Sequence, residues 1–294
     1  MGKLFWYLNR LQAMDLQEVC WRVQQRLLVK AEKRRFGKQR VRVDGEVWND
    51  ALRELGFDAG ALGINLDNAH YSTITEVHRL QGPDYGKWPD TFSYDLTYKQ
   101  RDDLGDARTC WEKHRHFRFA LLAKAAYVSG DSRLLAYLND EQDRWCEQHT
   151  FLHGIAWTSV MEVAIRAVNW MVTLAFCKDE KLAERLRTGV INMTDYLTRH
   201  YSRFSSANNH LLVEAAAIGL AGYAFGYRPW KELGMALLSK ELLNQNYEDG
   251  VNKELSLHYQ TFGMEAYCLM MRAMQAHDDE IPTTWYRMLS KQAE

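Results

Sequence analysis

The chain has 294 residues, of which 47% are hydrophobic and only 4 are proline, and its formal net charge is -1. Soluble proteins usually contain about 5% proline, so this composition excludes a proline-rich disordered chain and disfavours a turn-dense β-sandwich. A net charge so close to zero gives no general reason to expect nucleic acid as a partner. We therefore expect a mostly helical protein with a sizeable core.

The first zone of the chain, residues 1 to about 45, is predicted to be a basic helical arm. Apolar residues recur there at roughly helical spacing, at Leu8, Leu11, Leu16, Val19, Val23 and Leu27. Nine basic residues and one acid, Glu32, lie between Arg22 and Arg42, which leaves the rest of the chain acidic. Such an arm can contact nucleic acid or an anionic membrane. A solvated helix lying on the acidic body of its own chain explains it equally well, and we favour that interpretation.

Two further zones follow the arm. Residues 46 to about 105 contain Pro83 and Pro89 and show no sustained period, which predicts an irregular linker. From Trp111 onward, amphipathic segments of helical length are separated by short polar breaks. We therefore divide the chain into an arm and linker, residues 1–105, and a helical domain, residues 106–294.

The helical domain shows signs of an internal repeat. Ser159 lies three residues before Glu162 and ahead of an apolar run, which is a capping-box pattern for a helix start. Alternate helices are predicted to start near Glu112, Ser159, Asn209 and Ser256, at spacings of 47, 50 and 47 residues. A helical pair that repeats in this way builds a solenoid or a closed α/α toroid.

Polar residues that a core does not require gather near these four starts. They are Trp111, Glu112, His114 and Arg115, then His153, Trp157, Ser159 and Glu162, then Asn208, Asn209 and His210, then Glu254, Ser256, His258 and Tyr259. If alternate helices are parallel, their first turns share one end of the domain. Helix N-termini carry partial positive charge and free N–H groups, so this end is a candidate site for an anionic substrate.

Each of these residues also has an ordinary structural explanation. Trp111 and Trp157 could stack on sugar rings, but in a chain with 10 tryptophans we favour core packing from their type alone. Glu162 and Arg166 lie four apart, as in a surface ion pair on a helix. One asparagine before His210 could simply cap the helix that follows.

Taken together, these segments resemble the heparinase II/III-like polysaccharide lyases, which are related to some alginate and oligoalginate lyases. The resemblance depends on the segments 111–116 and 154–166, on Asn208-Asn209-His210-Leu211, and on Asp249-Gly250 followed by Glu254, Ser256 and Tyr259. The early segment 7–11, with Met14, Glu18 and Arg22 after it, is similar to the opening of many members. In their order and spacing, these segments extend over most of the chain.

The resemblance implies an all-α fold, an N-terminal α/α toroid of helical hairpins, followed by a C-terminal β-sandwich domain. Acidic polysaccharide is expected to bind in the cleft between the two domains. Because the sequence stops at Glu294, we expect an incomplete toroid that lacks the β domain, either as a fragment or as a reduced member of doubtful activity. The resemblance implies no cofactor, and no metal-binding constellation is visible in the sequence.

The reaction implied is β-elimination, in which the C5 proton of a uronate is removed and the 4-linked oxygen leaves. The carboxylate charge must then be stabilised and the leaving oxygen protonated. By resemblance, Asn209 and His210 match the positions that bind the carboxylate, and Tyr259 matches the tyrosine that protonates the leaving oxygen and can also remove the C5 proton. The residues expected to orient this site or bind sugar are Trp111, His114, Trp157, Glu162, Arg166 and Glu254.

Two other functions stay open at this point. One is a glycoside hydrolase on an α/α toroid that uses two carboxylates from Glu112, Glu162 and Glu254. The other is a non-catalytic protein for acidic-glycan binding or exopolysaccharide assembly. The apolar run at residues 4–8 is shorter than the roughly 7 to 15 residues of a signal-peptide core. We therefore expect a cytoplasmic protein, or a periplasmic one if a leader has been removed.

Overall fold

The structure is a computed structural model that describes residues 14–64, 66, 84–101 and 103–294. The early segment 7–11, together with Leu8, Leu11 and Pro83, lies outside these residues. Within the described ranges the regular structure is helical, and β pairing is limited to two isolated bridges, Phe92 with His153 and Asn246 with Asn252.

Ten α-helices are described, and we number them in chain order. They are α1 Leu16–Phe36, α2 Ala107–His114, α3 Phe117–Ser129, α4 Ser132–Gln148, α5 Val160–Phe176, α6 Glu180–His200, α7 Asn209–Ala224, α8 Arg228–Gln245, α9 Leu257–Ala276 and α10 Thr283–Ala293. Short 3-10 turns stand at Asp50–Leu52, Gly60–Leu62, Ser93–Asp95, Ile155–Trp157 and Phe204–Ser206. No described helix has both the length and the apolar character that crossing a membrane requires.

The helices from α3 onward form hairpins in two layers. Helices α3, α5, α7 and α9 pack side by side in a row, and α4, α6, α8 and α10 each pack against the helix before them. Helix α7 is apolar all round, and every residue from Leu211 to Ala224 is buried. In contrast, α4 buries one face, as an amphipathic helix of an outer layer does, whereas α6 is buried on all sides over residues 188–194. The predicted repeat of helical pairs is therefore confirmed.

One predicted helix start is wrong. Glu112 lies inside α2, and the first helix of the row begins five residues later, at Phe117. The break falls at His116, whose φ of 61° places it in the left-handed region and ends regular helix geometry between α2 and α3. The other three predicted starts are confirmed, since Ser159, Asn208 and Ser256 occupy the N-cap positions of α5, α7 and α9.

Helices α7 and α8 approach each other closely because glycines face each other between them. A Cβ built on Gly234 comes within 2.5 Å of the Gly219 Cα, and one built on Gly222 within 2.1 Å of the Lys231 backbone nitrogen. Neither position has room for a methyl group. These glycines therefore set the distance between the two helices.

The basic arm lies on the body of the molecule, as the favoured interpretation predicted. Glu32, buried on α1, shares a hydrogen bond of 2.8 Å with the Nε2 of His200 at the end of α6. Lys33 pairs with Asp95 at 2.5 Å, and the Phe36 ring packs edge-on against Phe151. The predicted apolar stripe, however, faces solvent, because Leu16, Val23 and Leu27 are 79%, 52% and 60% exposed.

Candidate functional site

The starts of the row helices lie at one end of the domain, and polar groups at these starts contact one another. The Arg115 guanidinium, just before α3, donates hydrogen bonds of 2.6 and 2.9 Å to the Glu162 carboxylate in the first turn of α5. The Glu254 carboxylate, just before α9, accepts a hydrogen bond of 3.2 Å from the backbone N–H of Asn209. The charges of Glu162 and Glu254 both act on His210. We call the surface formed by these five residues the polar end.

The two asparagines at the start of α7 have different surroundings. The Asn208 side chain caps the helix, because its Oδ1 accepts a hydrogen bond of 3.1 Å from the backbone N–H of His210. The Asn209 side chain is buried, and its Oδ1 has no hydrogen-bond partner among the described residues. Helix capping therefore uses the Asn208 side chain, and the Asn209 side chain takes no part in it.

His210 is half-buried beside that amide. Burial lowers the pKa of His210 below its usual 6.5, while the nearby carboxylates of Glu162 and Glu254 oppose the shift. The imidazole is therefore neutral at pH 7, with a donor and an acceptor nitrogen available for a ligand.

Tyr259 stands in the first turn of α9 and is 40% exposed. Gly263, four residues later, shares its helix face, and a Cβ on Gly263 would lie 3.0 Å from Leu212 Cδ1. Leu212 follows Asn209 by three residues, or about one turn of α7. This contact directs the Tyr259 face of α9 toward the start of α7, where no described residue hydrogen-bonds the Tyr259 hydroxyl.

Arg166 is in the core and not on the surface that its spacing from Glu162 suggested. Its guanidinium is fully buried, donates hydrogen bonds of 3.1 Å to the carbonyls of His114 and Ala156, and lies over the Trp157 ring at 5.0 Å. Burial lowers its pKa to about 10. The predicted surface pair with Glu162 is absent because Glu162 is bound by Arg115.

Glu162 does not complete the predicted capping box either. Ser159 makes no side-chain cap hydrogen bond, and both carboxylate oxygens of Glu162 accept from Arg115. A guanidinium offers two charge-assisted hydrogen bonds to a carboxylate, which a single backbone N–H cannot match. The helix starts where predicted, but without the capping box.

Trp157 and His114 also lie away from the open surface. Trp157 is 1% exposed and packs edge-on against Phe151 and Tyr196. His114 is fully buried, and its Nδ1 accepts a hydrogen bond of 2.9 Å from the Trp145 indole. Burial holds the pKa of His114 well below its usual value. In this structure both side chains contact protein atoms, so they can act on the polar end only by supporting it.

Trp111 is half-buried between the linker and the turn that precedes α5. Its indole N–H lies 3.0 Å from the Thr158 Oγ1 and 3.2 Å from the Ile155 carbonyl oxygen, and its ring packs edge-on against Tyr98. These hydrogen bonds fix the turn ahead of α5. The structure therefore separates the predicted residues into an open group and a supporting group. The open group is His210, Glu254 and Tyr259, together with Asn209, whose side chain is buried but hydrogen-bonds no described residue. The supporting group is Trp111, His114, Trp157, Glu162 and Arg166.

Sequence reasoning missed one buried acid on α7. Glu214 is fully buried, and its carboxylate accepts hydrogen bonds of 2.5 and 3.1 Å from the backbone N–H and the hydroxyl of Ser202. Burial raises the pKa of Glu214 to about 8. The signal was present in the sequence, since Glu214 is the one charged residue in the apolar run 211–225. As for metals, no three His, Cys, Asp or Glu side chains within the described ranges converge to hold an ion.

A family model described as "Heparinase II/III N-terminus" matches residues 9–294 of this chain. Two curated relatives are named heparin-sulfate lyase. The protein from Bacteroides thetaiotaomicron is 27% identical over 196 residues, which cover 62% of this chain and 28% of that protein. The protein from Bacteroides stercoris is 23% identical over 210 residues, which cover 62% of this chain and 31% of that protein. The matched part of this chain thus spans about a third of each relative's length or less.

Solved structures show the same fold. A crystal structure of heparinase III superposes with a TM-score of 0.55 at 21% identity, covering 90% of this chain and 41% of that one. A mutant of the heparan sulfate lyase HepC from Pedobacter heparinus gives a TM-score of 0.51 at 18% identity, covering 90% and 42%. The predicted α/α toroid is confirmed by this likeness.

Proposed function

Because the chain belongs to the heparinase II/III N-terminal family, we propose that it is the toroid part of a polysaccharide lyase that cleaves a uronic-acid-containing polysaccharide by β-elimination. One observation carries this proposal. Two groups at the start of α7, Asn209 and His210, lie at the same end of the toroid as the exposed Tyr259 of α9. A carboxylate-binding group and a proton donor on adjacent helices are what the elimination requires.

The start of α7 suits the carboxylate of a uronate. Helix N-termini attract anions through their free N–H groups and partial positive charge. The donor of the Asn209 amide is Nδ2, which hydrogen-bonds no described residue, and the neutral His210 can donate a second hydrogen bond. These groups stabilise the charge that develops on the carboxylate as the C5 proton leaves.

Tyr259 is positioned for the proton transfers. The phenol hydroxyl can give its proton to the 4-linked oxygen as the C4–O bond breaks, and the phenolate can accept the C5 proton. Its hydroxyl, which no described residue hydrogen-bonds, and its 40% exposure leave it open to a sugar chain. Glu254 fixes the start of α7 from the loop before α9 through its hydrogen bond to the Asn209 N–H.

The substrate class follows from the same surface and from the relatives. An acidic polysaccharide fits the anion-attracting helix start, and the two relatives named heparin-sulfate lyase favour a glycosaminoglycan. The acidic balance of the chain outside the basic arm favours a less sulfated polymer over heparin itself.

A glycoside hydrolase is the weaker alternative. That mechanism requires a carboxylic acid and a carboxylate that both reach the substrate. Glu162 is 1% exposed and held by two hydrogen bonds from Arg115, so it is poorly placed to transfer protons.

To test this, the protein is expressed from its whole reading frame and incubated with a panel of uronate polymers. A lyase leaves an unsaturated uronate with an ultraviolet absorbance, and we expect this signal to be lost in Tyr259→Phe. The matched control is Tyr286→Phe, which removes the hydroxyl of another exposed tyrosine on α10. New reducing ends without absorbance would show hydrolysis, and binding of polymer without turnover would show a non-catalytic protein.

A further inference from the structure

A cavity of about 550 Å³ lies between the arm helix α1 and the body, and the proposed reaction does not use it. This volume is within the range of small-molecule sites. The lining residues that carry the argument are Trp21, Arg26, Lys30, Tyr94, Val160 and Ser206. We call it the arm cavity.

The arm cavity opens beside the polar end. Val160 is the first residue of α5 and stands two residues before Glu162. Ser206 stands three residues before Asn209. A chain bound at the start of α7 can therefore continue into the arm cavity without crossing the body of the toroid.

Two aromatic side chains give the cavity the chemistry of a sugar site. Trp21 is half-buried and packs against Phe204 at 5.5 Å. The Tyr94 ring is 41% exposed, while its hydroxyl lies 3.1 Å from the Tyr196 hydroxyl and 3.0 Å from the His200 Nδ1. Tyr94 is held by these hydrogen bonds and Trp21 by its contact with Phe204, so both rings present apolar surface to a ligand with little loss of side-chain entropy.

Two cations at the cavity have no acidic partner among the described residues. Arg26 and Lys30 lie four residues apart on α1, are exposed, and form no ion pair with any residue that the structure describes. Their neighbours on the same helix are paired, since Arg22 binds Glu18 and Lys33 binds Asp95. Two adjacent unpaired cations beside aromatic rings are complementary to a sugar chain that carries anionic groups.

The walls of the cavity are held in place before any ligand arrives. His200 is bound on both ring nitrogens, by Glu32 at 2.8 Å and by the Tyr94 hydroxyl at 3.0 Å. The Gln25 amide donates a hydrogen bond of 2.9 Å to the Arg199 carbonyl. These contacts fasten α1 to α6, so binding does not have to order the arm.

We propose that the arm cavity is a second glycan-binding site, which holds anionic sugar units of the same polysaccharide beyond the reacting linkage. Sugar rings pack on Trp21 and Tyr94, and carboxylate or sulfate groups meet Arg26 and Lys30. The assignment of an acidic polysaccharide depends on the proposed function, whereas the existence of the site depends on the cavity itself.

Calorimetry with uronate oligosaccharides of two lengths tests this site. The short oligosaccharide occupies only the polar end, and the long one can also reach α1. Arg26→Gln/Lys30→Gln and, separately, Trp21→Ala are each expected to weaken binding of the long oligosaccharide at least about tenfold and to leave the short one unchanged. The matched control is Arg34→Gln/Lys38→Gln, which removes the same charge from exposed arm residues that do not line the cavity. Comparing sulfated with unsulfated long oligosaccharides shows which anionic group the cations bind.

Two results would overturn the inference. One is a loss of long-oligosaccharide affinity in Arg26→Gln/Lys30→Gln no greater than in the control, which would indicate general charge attraction. The other is an equal loss for short and long oligosaccharides. Failure of the proposed function gives a different result, because the ultraviolet signal is then absent in the wild-type protein whether or not the cavity variants lose affinity.

Discussion

The guanidinium of Arg115 binds the carboxylate of Glu162 through two hydrogen bonds of 2.6 and 2.9 Å, although the residues are 47 positions apart. The pair joins the segment before α3 to the first turn of α5, and the Glu162 side chain is 2% exposed. It therefore fixes two helix starts of the polar end relative to each other.

Arg115→Ala is expected to lower the free energy of unfolding by about 3–5 kcal/mol, because it leaves the buried carboxylate of Glu162 without its partner. Urea denaturation measures this. The control is Arg133→Ala, which removes an 88% exposed arginine from its pair with Asp131 and should leave the free energy of unfolding nearly unchanged, because solvent screens an exposed pair. Equal losses in the two variants would contradict a structural role for the buried pair.

Asn208→Ala is expected to lower mainly the stability of the protein, whereas Asn209→Ala is expected to lower mainly its activity. Asn208 caps α7, so its loss should cost about 0.5–2 kcal/mol of stability. The Asn209 Oδ1 has no described hydrogen bond to lose, but removing a charge-stabilising amide should slow elimination by about 10²–10³-fold. Denaturation and the ultraviolet assay, run on both variants, separate the two roles. An active Asn209→Ala would remove Asn209 from the mechanism.

Glu214→Gln is expected to change how stability depends on pH. Burial raises the pKa of Glu214 to about 8 in the folded protein, from 4.5 when unfolded, so the folded state binds the extra proton between these values. The wild type therefore loses up to about 1.4 kcal/mol of stability per pH unit as pH rises from 4.5 to 8. Glutamine does not titrate, so the stability of Glu214→Gln relative to wild type should rise across this window. Parallel curves for the two proteins would refute the shift.

His149 is expected to contribute to acid sensitivity. Burial, with a smaller contribution from Arg166, lowers its pKa to about 4, so the unfolded state binds more protons than the folded state between pH 6.5 and 4. Stability should therefore fall as pH falls through this window. His149→Gln should reduce the slope of unfolding free energy against pH there, and an unchanged slope would contradict a lowered pKa of His149.

Gly234→Ala is expected to destabilise the α7–α8 hairpin by about 1–3 kcal/mol or more, because the new methyl group would lie 2.5 Å from the Gly219 Cα. The atoms nearest to this methyl group, Gly219 Cα, Gly219 N and the Ala215 carbonyl oxygen, are backbone atoms of a packed helix, so they cannot move aside without separating the helices. Gly45→Ala is the control, since its Cβ meets the Arg42 Cβ at 3.6 Å and the Arg42 carbonyl oxygen at 3.7 Å, both ordinary van der Waals distances. Thermal unfolding of both variants measures the difference. An unchanged midpoint for Gly234→Ala would mean that the helices can separate.

Much of the fold could be predicted because its signals are local. The starts of α5, α7 and α9 were predicted from a serine or asparagine ahead of an apolar run, a pattern that spans only a few residues, although only Asn208 makes a side-chain cap hydrogen bond. The start near Glu112 was misplaced because the break at His116 depends on a left-handed backbone conformation that no local residue pattern announced.

The site could be predicted only in part. The order of residues along the sequence placed Asn209, His210 and Tyr259 near helix starts, and parallel helices bring such starts to one end. The sequence did not separate open residues from supporting ones, because burial depends on what other segments cover. Trp157 and Arg166 are enclosed by Trp145 and Tyr196, which come from α4 and α6.

By itself, then, the sequence determined the helical class, the repeat and three of its helix starts, since hydrophobic period and capping act over a few residues. Tertiary structure decided which partner each polar side chain takes. Glu162 had a hydroxyl three residues before it and an arginine four residues after it, and it binds Arg115 instead. A buried carboxylate is most stable with a bidentate guanidinium, and only the packing of α3 beside α5 brings that partner within reach.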